Sequence, residues 1–160
     1  MNFIKKFFSI IGVNILMCLL PLLFSGLLSG DPRYTVNAGK SAGQIAVYVI
    51  YAILFVVVYF MCGRKSAEKR SGVAAAVVCG TLFAAIGCLV YYFVLVMSSD
   101  NIPFLILAMP QLMFIKAFGE GLIGNNVLSY ILMFSPLAFI LAGIISKGKL
   151  IKRFKRSEKA

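Results

Sequence analysis

Apolar residues run without a charged interruption through four long stretches: Phe7 to Leu28, Ile45 to Cys62, Val73 to Met97 and Val127 to Ser146. About 20 apolar residues in a helix are needed to cross a hydrocarbon core about 30 Å thick. Only helices and closed barrels satisfy their own backbone there. The pattern therefore predicts an all-α polytopic membrane protein, an up-and-down bundle of four transmembrane helices. The connections 30–43 and 63–72 are short and polar, which makes neighbouring helices antiparallel.

A fifth stretch, 103–118, is short and is broken by Pro110, Gln111 and Lys116. It reads as an interfacial or re-entrant outer segment rather than a span. Residues 1–146 then form the transmembrane domain, and 147–160 a basic tail. Local punctuation agrees with these limits. Ser41-Ala42-Gly43-Gln44 has the form of a capping box, and Asn125 and Asn126 are N-cap candidates. Gly63 and Gly148 sit where C-caps are expected. Pro21 and Pro136 should each kink or loosen a helix. The first stretch is too long, and lacks the small-residue site, for a cleaved signal peptide, so a retained helix is expected.

Composition removes the soluble alternatives. Of 160 residues, 61% are hydrophobic and 13% charged, and the mean hydropathy is +0.98. A soluble domain of this size cannot hide so much apolar surface. A soluble enzyme, a coiled coil, a disordered tail and a disulfide-stapled module are all disfavoured.

Charge then sets the expected orientation. The net charge is +11, and 13 of the 16 Lys+Arg residues fall in 1–6, 63–72 and 147–160. Four spans put those three segments on one side, whereas five would send the tail outside. Cytoplasmic loops carry the excess of Lys and Arg. The expectation is a multi-pass plasma-membrane protein, bacterial in its habits, with both termini cytoplasmic. The same rule explains the basicity better than nucleic-acid binding does.

Two faces stand out. Gly72, Ala76, Gly80, Ala84 and Cys88 follow one another at i+4, a small-residue row that lets helices approach closely. It serves either packing within the bundle or a face for a membrane partner or a second copy. The fourth stretch has a shorter row, Ala138, Ala142 and Ser146, and a stripe of Ser129, Pro136 and Gly143. In the first stretch Asn14, Cys18, Pro21 and Ser25 share a narrow arc. An unpaired amide in hydrocarbon is costly, so Asn14 should bond a neighbouring helix. The alternative is a polar path past Asn14 and Ser25. Tyr51 and Tyr59 are placed to give hydroxyls to the interior, while Tyr91 and Tyr92 suit an interfacial belt.

Catalytic chemistry is sparse. The chain has no histidine, and no carboxylate lies in any of the four stretches, which disfavours proton relays and His-based metal sites. The four cysteines include no C-x-x-C, so a thiol oxidoreductase is disfavoured. Lys116 and Glu120 make at most a modest i,i+4 pair. No cofactor is expected. The tail crowds Lys149, Lys152, Arg153, Lys155 and Arg156 among Leu150, Ile151 and Phe154, which suits contact with an anionic inner leaflet. These features favour a small accessory or interaction protein, a complex subunit or an immunity- or stress-type protein, without catalysis of its own. A small transporter or permease component is the alternative.

Overall fold

The computed structural model describes residues 2–24, 42–97, 105–117 and 126–157. They form six helices: α1 (Asn2–Phe24), α2 (Ala42–Ser66), α3 (Arg70–Met97), α4 (Leu105–Ala117), α5 (Asn126–Met133) and α6 (Ser135–Ser157). No strand occurs among the described residues. Three helices are long and apolar enough to cross a membrane, at Phe3–Pro21, Ala46–Ser66 and Arg70–Phe93. The pair Val127–Met133 and Ser135–Gly148 makes a fourth if taken as one broken span. That pair bends by 47°. The bend lies where Pro136, lacking an N–H, cannot close the preceding turn. Ser25 to Leu28, the end of the first apolar stretch, and the proposed caps Ser41 and Asn125 lie outside the described residues.

The helices pack as α1 on α3, α3 on α6 and α6 on α2. Between α1 and α2 there is little direct contact, and α4 fills the gap, touching both of them and α3. At 13 residues, α4 is about 20 Å long, well short of a span. It is not laid on the surface: Ala108, Pro110, Gln111, Met113, Phe114 and Ile115 are all buried. Phe114 stacks on Phe55 of α2 with ring centroids 4.7 Å apart, and meets Phe139 of α6 edge-on at 5.7 Å.

The face that α2 turns inward is Tyr48, Tyr51, Phe55, Tyr59, Gly63 and Ser66. These positions recur every three or four residues, one side of a 3.6-residue helix. The outer faces are apolar: Ile15, Leu16, Ile50, Ile53, Val57, Leu89 and Ile131 are all exposed.

Gly63 and Gly148 do not cap helices. α2 runs through Gly63 to Ser66, and α6 through Gly148 to Ser157. Gly63 instead lies at the crossing with α6. A Cβ there would fall 2.0 Å from the Ile140 carbonyl oxygen, and one at Gly143 would fall 2.1 Å from that of Phe60. By contrast, a Cβ at Gly12 or Gly148 meets nothing within 4 Å.

This difference is testable. Gly63→Ala or Gly143→Ala should force α2 and α6 apart and cost about 3 kcal/mol, the upper part of the overpacking range. Gly12→Ala should be neutral or stabilising by up to about 1 kcal/mol, from helix propensity. Thermal unfolding of the three variants in one detergent checks the order.

Candidate functional site

The buried polar groups gather where α1, α2 and α4 meet. Pro21 has no N–H to donate to the Met17 carbonyl one turn earlier, and an unmet carbonyl inside the bundle is costly. The Tyr51 hydroxyl donates to that carbonyl at 2.8 Å. Two turns further along α2, the Tyr59 hydroxyl donates to Asn14 Oδ1. Asn14 Nδ2 in turn donates to Cys18 Sγ at 3.8 Å, and Cys18 Sγ reaches the Leu107 carbonyl of α4 at 3.9 Å. Asn14 and Cys18 are both buried. The stripe on α1 thus joins three helices, and Asn14 has partners for both ends of its amide. Ser25, the other member of the candidate polar path, lies outside the described residues.

Gln111 is the polar residue whose burial the sequence pattern did not signal. It is wholly buried, and its Nε2 donates to the Phe83 carbonyl of α3 at 3.1 Å. Gly87 lies beside it: a Cβ there would stand 3.2 Å from Met133 Sδ and 3.5 Å, an ordinary contact, from Gln111 Nε2. Gln111 Oε1 and the Ser135 hydroxyl have no hydrogen-bond partner among the described residues. In sequence Gln111 looked like an interruption, and only the insertion of α4 makes it an interior group.

The small-residue row on α3 lies largely inside the bundle. Ala76 and Ala84 are fully buried, and Cys88 is half-buried. A Cβ at Gly80 would stand 3.0 Å from Leu137 Cδ1 and 3.1 Å from Leu137 Cα, both on α6. At Gly72 it would stand 2.5 Å from the Ser66 carbonyl oxygen. The row on the fourth stretch does otherwise: Ala138 and Ala142 are exposed, and the contact is carried by Pro136, Ile140 and Gly143. Tyr92 is exposed, but Tyr91 is buried against Tyr130, ring centroids 5.0 Å apart, and so is a core residue rather than part of a belt. All four cysteines are free thiols. No group of three or more His, Cys, Asp or Glu that could hold a metal occurs among the described residues.

One end of the bundle gathers charge. The Lys6 ammonium donates to the Lys65 carbonyl at 3.4 Å, bringing the start of α1 against the end of α2. Lys147 of α6 pairs with Glu68 in the α2–α3 turn at 2.8 Å. The hydrogen bond and charge of Lys147 hold the Glu68 carboxyl below the usual carboxylate range. The α6 backbone continues to Ser157. The side chains of Lys149, Lys152, Arg153, Lys155 and Arg156, together with the Lys116–Glu120 pair, lie outside the described part. No family model, no curated protein and no solved structure matches this chain.

Removing a single hydroxyl tests the polar network. Tyr59→Phe strips Asn14 Oδ1 of its donor and should cost about 1–2 kcal/mol. Tyr51→Phe leaves the Met17 carbonyl unmet and should cost a similar amount, whereas Tyr92→Phe should change nothing measurable. The Glu68 pair has a pH signature. A carboxyl depressed in the folded state adds stability above its unfolded pKa and loses it as pH falls through the folded value. The difference in melting temperature between wild type and Glu68→Gln should therefore be present at neutral pH. It should vanish once the pH drops below the carboxylate range.

Proposed function

We propose that this chain is a small integral membrane protein with accessory or interaction duty and no catalysis of its own. In this reading α1, α2, α3 and the bent α5–α6 pair cross the bilayer up and down, and α4 is a re-entrant half-helix held inside the bundle. The carrying observation is that α4 occupies the space between α1 and α2, where a solute path past Asn14 would have to run. Asn14 is already spent on Tyr59 and Cys18. The polar groups there act as joints between helices.

The orientation rule supports placing the Lys-rich end at the cytoplasmic face of a plasma membrane. Lys149, Lys152, Arg153, Lys155 and Arg156 would then lie at the anionic inner leaflet, each worth about 1 kcal/mol near that surface. The α3 row is turned inward, with Gly80 against α6 and Gly72 against the end of α2, so a partner helix or a second copy would meet the bundle elsewhere on its apolar exterior.

Transport is the second reading, and Gln111 is what favours it. A buried amide whose Oε1 has no partner among the described residues, on a short helix carrying Pro110, is the kind of element that lines a substrate site in transporters.

Isolated in mild detergent, the full chain should carry a stoichiometric membrane partner. Reconstituted alone, it should leave vesicles tight to small solutes. A solute flux abolished by Asn14→Leu or Gln111→Leu, or recovery only as a solitary monomer, overturns the accessory reading.

A further inference from the structure

The start of α1, the end of α2 and the start of α3 enclose a cleft of about 410 Å³. Lys5 and Lys6 project into it from α1, Lys65 from the last turn of α2, and Lys69 from the turn that leads into α3. Three hydroxyls, those of Ser9, Ser66 and Ser71, line the same walls.

The local fold explains this convergence. Gly72 lets α3 come down on the Ser66 carbonyl, where no Cβ would fit. Gly72 and Val73 both donate their N–H to the Lys69 carbonyl, at 2.9 and 3.1 Å. The turn between α2 and α3 is thereby tight, and Lys65 and Lys69 are held on one cleft.

The charge of the cleft is unbalanced. Among the described residues Glu68 is the one carboxylate on its walls, and Lys147, from outside the cleft, already pairs with it. Lys6 uses a donor on the Lys65 carbonyl, but an ammonium has three. Four lysines therefore share a small volume, close to the positive end of the α3 dipole. Like charges this close repel, and an anion among them converts the repulsion into attraction. The donor set suits a phosphate-type oxyanion: lysine ammoniums bind phosphate as point charges, and the serine hydroxyls can donate to its remaining oxygens. The volume lies at the small end of ligand pockets, enough for a phosphoryl group and its ester substituent.

We propose that this cleft is a binding site for a phosphate-type oxyanion, supplied either by the headgroup of an anionic lipid or by a soluble phosphate. It deepens the membrane reading above and rests on it for the lipid form, since a headgroup reaches the cleft only if this end lies at a bilayer surface. The site is distinct from the tail, whose basic residues follow Lys147.

The test uses the full chain in a detergent with a neutral headgroup and reads the melting temperature. The probes are inorganic phosphate and short-chain phosphatidylglycerol, with short-chain phosphatidylcholine as the blank. At least one of the two anions should stabilise the protein saturably. Lys5→Gln with Lys69→Gln should weaken its midpoint about 30-fold, from the contribution of two basic residues. Both side chains are exposed, so the fold should survive, and Lys69→Arg should retain most of the binding. Lys152→Gln with Arg153→Gln removes the same charge from the tail and should change the midpoint less than 3-fold. A response to inorganic phosphate names a soluble ligand, and a response to phosphatidylglycerol alone names a lipid headgroup. Equal loss in the cleft and tail pairs would mean diffuse attraction and overturns the proposal, as does the absence of any response. Neither result bears on partner recovery or solute flux, so the accessory reading stands or falls separately.

Discussion

A Cβ at Gly63 would fall 2.0 Å from the Ile140 carbonyl oxygen, and one at Gly143 would fall 2.1 Å from that of Phe60, so α2 and α6 meet backbone against backbone. Lipid tails are as apolar as leucine, so hydrophobicity alone does not drive helices together in a bilayer. Close packing must supply the attraction. Much else follows from this one approach. It brings Phe139 onto Phe55, and Phe114 of α4 completes the cluster by stacking on Phe55. It carries Lys147 over the α2–α3 turn to Glu68. With α6 pinned there, the 47° bend lets α5 lean towards α3, where Tyr130 meets Tyr91.

Prolines supply the second constraint. Each one inside a helix leaves a carbonyl one turn back without its usual donor. In water that carbonyl would be hydrated; for the Met17 carbonyl, inside this bundle, a side chain answers it. Tyr51 does so for Met17, four residues before Pro21. The same α2 face then offers Tyr59 to Asn14. Pro21 of α1 and the tyrosines of α2 are thus two halves of one device, and it fixes the relative height of two helices that otherwise touch little. α4 uses a different one: Gln111 reaches across to Phe83 over the bare backbone of Gly87.

Span-length apolar runs are legible in sequence because a helix that crosses a membrane would need about 20 apolar residues. The bend near Pro136 and the inward stripe of Asn14, Cys18 and Pro21 are legible for a related reason, since each is a property of a single helix. Contacts between helices are not. Ala138, Ala142 and Ser146 form as regular a row as Gly72, Ala76 and Gly80. Yet Ala138 and Ala142 face outward, while Gly80 lies against Leu137. Spacing says which residues share a face, but not which face meets a neighbour. Gly63 resembled a C-cap because Arg64 and Lys65 follow it. Those two are good helix formers, and the helix continues through them. The place of α4 was open between interface and interior because its composition is the same for both. Its burial depends on the gap between α1 and α2, which no single segment encodes.

Orientation and ligand binding ask different things of the same lysines. The positive-inside rule counts basic residues near the ends of spans and is indifferent to how they are arranged. Lys5, Lys6, Lys65 and Lys69 satisfy that count, but they also face one another across a cleft lined with hydroxyls. Lys147 shows how this fold treats a basic side chain when a carboxylate is available: it pairs it at 2.8 Å. Among the described residues the cleft has no second carboxylate to do the same for its four lysines. The tight α2–α3 turn and Gly72 bring these partly exposed lysines onto one cleft, an arrangement an orientation signal does not require. On the proposed reading, that excess of arrangement over count is what separates this end of the bundle from a topological signal.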